Sequence, residues 1–227
     1  MPAPERGRED SAQPKAPTWV PIRSLAERHR ARIVAHLRAL AGPDRYLRFG
    51  FQASDEQIER YVESIDFARD EVFGIFNRRL ELIAAAHLAF DLSRTERDGP
   101  AAAEFGVSVV LASRARGFGS RLFDHAMLHA RNRGIDTLLI HALSENVAML
   151  AIARKAGAVV IRDGAEAQAK LKLPPDTLSS HIDEAVASAA GEIDFRLKSQ
   201  ANMLDDWLNA FSKVSAHIKR DQGDLRE

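Results

Sequence analysis

The segment spanning residues 114–120 has the composition of an anion-binding loop. It follows an apolar run at residues 102–111 and leads into an amphipathic run at residues 120–133. In a strand–loop–helix unit of this kind, free N–H groups at the helix N-terminus converge on one point, where the helix dipole also attracts negative charge. The small and cationic residues available for this purpose are Gly117, Gly119, Arg114, Arg116 and Arg121. The sequence therefore predicts a phosphate-binding loop, with a solvated basic surface as the alternative for the arginines.

The spacing of the glycines excludes two common phosphate loops. A P-loop requires a Gly-Lys pair, and the chain contains none. A dinucleotide-binding fingerprint requires a third glycine three positions after the second, where this chain has Leu122. The remaining pattern is Arg114-x-x-Gly117-x-Gly119 at the start of a helix.

Strand and helix patterns predict the elements that position this loop. Apolar runs indicate strands at residues 18–23, Glu71–Phe76, 80–90, 102–111, Thr137–Leu143, 158–161 and 165–173. Helical spacing and capping residues indicate helices at 25–40, 54–65, 120–133 and 146–155, with a loop at 45–51. The first strands are joined by a hairpin and the later ones by helices. This order predicts an α/β (α+β) fold, a mixed sheet with helices on both faces.

Composition excludes several classes of protein. The chain of 227 residues has no cysteine, so disulfides, thiolate nucleophiles and cysteine zinc sites are excluded, and we expect no metal. The 32 basic and 32 acidic residues balance, which argues against a nucleic-acid-binding protein. No apolar run approaches the length of a membrane span, so no membrane partner is expected. Residues 1–17 lack a secretory signal and are expected to be a disordered tail of a cytoplasmic protein.

The last part of the chain has a different pattern from the predicted sheet domain at 18–173. From Ile182 to Ile218, apolar residues recur at close to the spacing of an α-helix. The segment 174–227 is therefore predicted to be a helical extension, either one long helix or two helices broken near Gly191. Its apolar stripe must be covered by the domain or by a partner, and we favour a homodimer.

Two motifs give the chain a resemblance to a known family. Arg114-x-x-Gly117-x-Gly119 after an apolar strand is similar to motif A of the GNAT superfamily of acyl-CoA-dependent N-acyltransferases. The segment 146–157, which opens with Asn146 and closes with Lys155-Ala-Gly157, resembles motif B of that family. The two motifs lie in the family's order, and the resemblance covers about residues 19–173. It implies a GNAT-like mixed sheet that is splayed and flanked by helices.

The resemblance also implies a cofactor and its binding residues. Acetyl-CoA, as co-substrate, is expected to place its pyrophosphate on the amides of residues 116–120. Its pantetheine arm is expected in a cleft where strand 107–111 splays from strand 137–143, with an oxyanion donor near Val109 or Val110. Asn146 either contacts the pantetheine or only caps a helix. The residues implied in binding are Val109, Val110, Leu111, Arg114, Arg116, Gly117, Phe118, Gly119, Ser120, Arg121 and Asn146.

Acyl transfer to an amine requires removal of a proton, and two residues are candidates for this step. Family members often use a glutamate on the strand that contains Glu104, whose alternative is a surface carboxylate. His141 is a candidate base or relay, and its alternative is a core histidine. Many family members have a tyrosine as general acid seven residues after the motif B asparagine, where this chain has Ala153. The resemblance therefore supplies a base and no acid.

The resulting functional expectation is an N-acetyltransferase that moves an acetyl group from acetyl-CoA to a primary amine by direct attack in a ternary complex. Its acceptor pocket is expected at residues 45–51 and 93–100. The alternative is a catalytically weak or inactive CoA-binding module whose helical extension mediates oligomerisation or partner binding.

Overall fold

A computed structural model of the chain describes residues 20–90 and 101–221, with the backbone alone from residue 203 onwards. The tail predicted at residues 1–17 and the loop predicted at 93–100 lie outside the described residues.

Seven strands and six α-helices make up the described part of the chain. The strands are β1 Arg23–Leu25, β2 Glu71–Phe76, β3 Leu82–Phe90, β4 Ala102–Val109, β5 Thr137–Leu143, β6 Val159–Asp163 and β7 Glu166–Lys172. The helices are α1 Arg30–Arg38, α2 Gly42–Phe49, α3 Asp55–Glu63, α4 Phe118–Asn132, α5 Val147–Lys155 and α6 Leu178–Asp221. The predicted α/β (α+β) class is confirmed.

The strands form one mixed sheet in the order β1-β2-β3-β4-β5-β7-β6. All neighbours pair antiparallel except β4 and β5, which are parallel. Their ladder extends only from the Ala102–Thr137 pair to the Glu104–Leu139 pair. Beyond that point β4 continues to Val109 paired with β3 alone. The predicted splay between these two strands is confirmed, and it opens a cleft at the middle of the sheet.

The core consists of two hydrophobic clusters, and β2 contributes to both through the alternation of its side chains. Phe73 lies in a cluster that includes Phe105 and Phe123, which come from β4 and α4. Val72 lies in a second cluster, with Ile58 of α3. The sheet is therefore covered by helices, and the loop at the start of α4 is attached to a fully buried helix face.

Two local predictions near the N-terminus were wrong. The segment 45–51 was expected to be a loop, but Gly42–Phe49 is helical, with Pro43 in its first turn and Gly50 ending it at φ +80°. The first strand, predicted at 18–23, is Arg23–Leu25. Ser24, a candidate capping residue for the helix predicted at 25–40, therefore lies in that strand and caps no helix. The capping box of α3 forms as expected, with the N–H of Gln57 donating to Ser54.

The C-terminal extension is one helix of 44 residues, α6, with no break at Gly191. This glycine instead permits close packing, because a Cβ there would lie 2.1 Å from the carbonyl oxygen of Ile22. Arg23 fixes the contact by an ion pair of 3.0 Å with Glu192 and by stacking over Phe195. The edge of the sheet at β1 is thereby covered.

None of the described helices is long and apolar enough to cross a membrane.

Candidate active site

The divergence of β4 and β5 opens a cleft made of two adjoining cavities of about 660 and 370 Å³. The larger cavity lies between α2, the ends of β4 and β5, and the β6–β7 hairpin. The smaller cavity extends to the N-terminus of α4. The two share walls made of Leu47, Arg48, Val107, Asn146 and Met149. One continuous cleft therefore connects the arginine–glycine loop with the open side of β4.

The arginine–glycine loop has the backbone of an anion site. Ala115 and Gly117 both adopt left-handed conformations, with φ values of +58° and +76°. Gly117 is the N-cap of α4, and the first intrahelical bond runs from the N–H of Arg121 to the Gly117 carbonyl. The N–H groups of the residues between them have no intrahelical acceptor, and those residues, Phe118, Gly119 and Ser120, line the smaller cavity. This arrangement fits a bound phosphate.

The predicted arginines differ in their surroundings. Arg114 pairs with Asp44 of α2 at 2.6 Å, and its Nε donates to the carbonyl of Val109. Arg116 is exposed, with its guanidinium 4.8 Å from the ring centroid of Phe118. Arg121 is half-buried on the first turn of α4. Arg114 thus braces the loop against α2, whereas Arg116 keeps its charge open to solvent.

Asn146 caps α5 and also spans the cleft. Its side-chain oxygen accepts from the N–H of Met149, and its amide donates to the carbonyl of Leu47 at 3.3 Å. Both alternatives for this residue are therefore compatible with the structure, since it is an N-cap and it lines both cavities.

The strand amides separate the two candidate oxyanion donors. The N–H of Val110 donates to the carbonyl of Ile83 on β3 at 3.0 Å. Because successive amides of a strand point in opposite in-plane directions, the N–H groups of Val107 and Val109 face the side from which β5 has diverged. Val109 is thus placed to donate into the cleft and Val110 is not, while Leu111 is exposed in a short 3₁₀ turn.

Glu104 and His141 meet at the mouth of the cleft. The Oε1 of Glu104 lies 3.3 Å from Nδ1 of His141, and both side chains are about half exposed, at 56% and 53%. Nε2 of His141 lies 2.9 Å from the side-chain nitrogen of Gln168. An amide N–H donating to Nε2 leaves the imidazole proton on Nδ1, directed at the carboxylate. His141 therefore faces the cleft and is not a core histidine.

The sequence itself matches one family. The profile of the Acetyltransferase (GNAT) family matches residues 34–158, more than half of the chain. The chain belongs to the GNAT acetyltransferase family. Acyl transfer is the general chemistry of this family, and the resemblance found in the two motifs is confirmed.

Solved structures show the same GNAT fold at low sequence identity. The GNAT domain of S. lividans PAT is 22% identical, with a TM-score of 0.56 over 67% of this chain and 89% of that one. An acetyltransferase of the GNAT family from Streptococcus pneumoniae is 15% identical, with a TM-score of 0.53 over 69% and 100%. An N-acetyltransferase from Staphylococcus aureus Mu50 is 14% identical, with a TM-score of 0.52 over 67% and 98%. No curated protein matches the chain.

The position of the tyrosine acid of other GNAT proteins does not face the cleft in this chain. Ala153 is fully buried in the hydrophobic core. Neither cavity includes it among its lining residues. Ala153 therefore offers no proton donor to the cleft.

A buried histidine, absent from the sequence-based site, supports β4 from behind. His36 of α1 lies 2.8 Å from both the carbonyl of Leu82 and Oγ of Ser108. The carbonyl requires a donor, so Nδ1 carries the proton and Nε2 accepts from the serine. Burial lowers the pKa of His36 to about 4, so the ring is neutral. In the sequence, the only sign that His36 is buried is its spacing of three residues from the apolar Ile33, which places both on one face of a helix.

A second polar chain, also absent from the sequence-based site, supports the cleft wall. Arg48 donates to the hydroxyl of Tyr61 at 2.8 Å, and that hydroxyl lies 2.8 Å from Nδ1 of His87. Nε2 of His87 lies 3.3 Å from a carboxylate oxygen of Asp70, whose side chain is buried. Burial, and next the charge of Arg48, lower the pKa of His87. The only sequence signal was the basic and aromatic character of residues 45–51, which include Arg48.

In the part of the chain that the structure describes, no group of three or more His, Asp or Glu side chains is arranged to hold a metal ion.

The neutral buried histidines predict a pH-dependent stability. Burial lowers the pKa of His36 and of His125 to about 4, whereas an unfolded histidine titrates near pH ~6.5. Between about pH 6.5 and 4 the unfolded state therefore binds more protons, so the free energy of unfolding falls as pH falls. Each histidine contributes a slope of up to about 1.4 kcal/mol per pH unit.

Urea denaturation across this pH range measures the slope. His36→Gln should reduce it by the equivalent of about one proton, since one titrating group is lost. His181→Gln, which changes an exposed histidine, should leave it unaltered. Equal slopes in the wild type and His36→Gln would contradict the neutral state of His36.

Proposed function

We propose that the protein is an N-acetyltransferase that moves an acetyl group from acetyl-CoA to a primary amine by direct attack in a ternary complex. The observation that carries this proposal is the position of the Glu104–His141 pair in the same cleft as the anion loop and the free amides of β4. A base, an oxyanion donor and a phosphate site are the groups that this transfer requires.

The residues present fit coenzyme A along the cleft. The amides of Phe118, Gly119 and Ser120 would hold the pyrophosphate, and the charge of Arg116 would face it. The free N–H groups on the open side of β4 would bind the pantetheine arm in the manner of an added strand. When bound, acetyl-CoA supplies the acetyl group as an activated thioester.

The chain's own groups then divide the catalytic work. Glu104 takes the proton of the attacking amine, and His141 orients its carboxylate through the Nδ1–H contact. The cleft-facing N–H of Val107 or Val109 stabilises the negative charge that develops on the carbonyl oxygen. As the new C–N bond forms and the C–S bond breaks, water at the cleft mouth protonates the thiolate. We place this reaction in the cytoplasm, which suits a chain without cysteine.

Thermal denaturation tests the cofactor site. At about 100 times its dissociation constant, acetyl-CoA should add about 2.7 kcal/mol to the free energy of unfolding, a rise of roughly 5–10 °C. CoA should act similarly, and NAD and ATP should not. Gly119→Glu should abolish the rise because it places a carboxylate at the helix N-terminus. Ala151→Glu, at an exposed position of α5 outside both cavities, should retain it. An unchanged rise in Gly119→Glu would refute this site.

The proposed base is tested by kinetics. Glu104→Gln should lower kcat by about 10²–10⁴-fold, since the amide takes no proton. The remaining activity should increase with pH, because the free amine becomes more abundant. Glu145→Gln, at an exposed position outside both cavities, should keep wild-type kcat, and all variants should keep the thermal response to CoA. A Glu104→Gln enzyme within twofold of wild type would exclude Glu104 as the base.

The outward face of α6 supports a homodimer. Four apolar side chains on that face, Ile182, Val186, Ile193 and Leu197, are each more than half exposed. The opposite face of α6 contacts the domain as far as Asn202, which donates to the carbonyl of Arg78. At about 1.5 Å per residue the helix spans roughly 66 Å. A single chain therefore leaves the apolar side chains between residues 182 and 197 in contact with water.

The charges of α6 indicate its partner. Residues 178–195, at its start, include four acidic residues and no lysine or arginine, whereas residues 213–220, near its end, are basic; these residues are Asp183, Glu184, Glu192 and Asp194, and Lys213, Lys219 and Arg220. Antiparallel pairing with the α6 of a second copy would place the acidic start of each helix against the basic end of the other. If no CoA is released with any amine while this pairing persists, the alternative of an inactive CoA-binding module that assembles through α6 is favoured.

Sedimentation or light scattering measures this pairing. The wild type should have the mass of a dimer, and Ile193→Asp should have the mass of a monomer because a buried charge would be unpaired at the interface. Ala31→Asp, on the exposed surface of α1, should remain dimeric. A monomeric wild type, or a dimeric Ile193→Asp variant, would contradict antiparallel pairing through this stripe.

A further inference from the structure

The guanidinium of Arg48 lies on the surface of β4 in the wall of the cleft. Arg48 comes from α2, and it occupies the space above Gly106, where β4 has already separated from β5. A Cβ at Gly106 would lie 2.7 Å from Nη2 and 3.0 Å from Nη1 of this arginine. Any side chain at position 106 would therefore displace the guanidinium, so the glycine creates the place that Arg48 fills.

A chain of hydrogen bonds fixes the orientation of the guanidinium. Asp70 is the buried end of this chain and accepts from Nε2–H of His87, whose Nδ1 accepts from the hydroxyl of Tyr61. The oxygen of that hydroxyl in turn accepts from Nη2 of Arg48. Every donor in this series of hydrogen bonds meets an acceptor. The series therefore holds the guanidinium in one orientation before a ligand binds, so that little side-chain entropy is lost on binding.

The charge of Arg48 has no carboxylate partner among the described residues, although its guanidinium lies 5.2 Å from the ring centroid of Phe49 and 5.4 Å from that of Tyr61. Its only hydrogen bond there is the one from Nη2 to Tyr61, and no carboxylate lies within ion-pair distance. Arginines nearby are paired: Arg38 with Glu59, and Arg45 with Asp55. Arg114, which lines the smaller cavity, is neutralised by Asp44. Arg48 therefore presents donors, including Nη1, to the cleft without a counter-charge.

The charge of Arg48 lies on the part of β4 that also carries the proposed catalytic groups. Arg48 lines both cavities, so it lies where the anion loop side and the mouth of the cleft meet. Gly106, beneath it, is two residues from Glu104 and adjacent to Val107, whose N–H faces the cleft. An amine that gives its proton to Glu104 thus has a fixed cation beside it.

We propose that Arg48 binds a carboxylate of the acceptor, so that the substrate is a small molecule carrying both an amine and a carboxylate, as in an amino acid. This inference rests on the proposed function of the same site. A guanidinium matches a carboxylate in shape and charge, and the pre-oriented donors reject an acceptor that leaves them unpaired. The carboxylate also neutralises Arg48, whose positive charge would otherwise repel a protonated amine.

Matched acceptor pairs test the proposal. The probes are L-phenylalanine and L-methionine, together with β-alanine, each compared with the amine that lacks the α-carboxylate or, for β-alanine, with its amide. Wild-type kcat/KM should favour the carboxylated member by about 10–100-fold, the range for a hydrogen bond to a charged group. Aminomethylphosphonate is tested beside these acceptors. A higher kcat/KM for this compound than for the carboxylated acceptors would assign a phosphonate, instead of a carboxylate, as the group that Arg48 binds.

Variants separate the role of Arg48 from a structural one. Arg48→Gln should bring the ratio between pair members close to 1 and raise KM for the carboxylated acceptor, while KM for acetyl-CoA stays within twofold. Tyr61→Phe should reduce the ratio less than Arg48→Gln does, because the guanidinium is still present and has lost only the hydroxyl group that orients it. Arg154→Gln, on the exposed face of α5 outside both cavities, should keep the wild-type ratio. A wild-type ratio near 1, or one unchanged in Arg48→Gln, would overturn the proposal.

A binding measurement separates this inference from the proposed reaction. If neither member of any pair is acetylated, transfer has failed, and the same probes are added to protein saturated with CoA during thermal denaturation. Stabilisation by the carboxylated members alone, lost in Arg48→Gln, would support a carboxylate site without catalysis. Equal effects of both members, or none, would overturn it.

Discussion

The parallel ladder between β4 and β5 ends after the Glu104–Leu139 pair, and every part of the candidate site depends on this divergence. A strand inside a sheet normally has both rows of amides paired, because unpaired buried amides are costly. Here β4 keeps one row on β3 and turns the other, including the N–H of Val107 and Val109, toward an open cleft. The same opening admits the side chains of Glu104 and His141. The fold thus provides hydrogen-bond donors that an extended ligand can satisfy.

Buried polar groups hold the other face of the splayed strand in place. A strand that has lost one neighbour needs support, and Ser108 obtains it from the neutral ring of His36. Gly106 obtains it from Arg48, which a hydrogen-bond chain connects to the buried Asp70. These contacts join α1, α2 and α3 to the sheet at the level of the cleft. The packing that stabilises the N-terminal half of the domain is therefore also the packing that shapes the site.

The long C-terminal helix shows how one glycine can have opposite effects in sequence and in structure. Glycine weakens an isolated helix by about 1 kcal/mol, which made a break at Gly191 a reasonable alternative. In the fold, the absence of a Cβ lets the helix approach the carbonyl of Ile22, and the ion pair between Arg23 and Glu192 adds to this contact. This packing of α6 against the start of the sheet compensates for the low helix propensity of Gly191. The helix consequently continues as a single element and leaves Ile182, Val186, Ile193 and Leu197 exposed.

Local patterns in the sequence determined the fold class, the boundaries of most strands, the glycine-containing turn into α4 and the family, because strand period, helix caps and glycine spacing are properties of short segments. The same patterns misassigned residues 45–51 as a loop, because their aromatic and basic side chains show no clear helical period. In the structure these residues belong to a helix that has Pro43 in its first turn and ends at Gly50. Only the tertiary structure placed Glu104 beside His141 and turned Val110 away from the cleft, since strand register joins residues far apart in the chain. The roles of Arg48 and His36 likewise depend on contacts across elements, which no local spacing encodes.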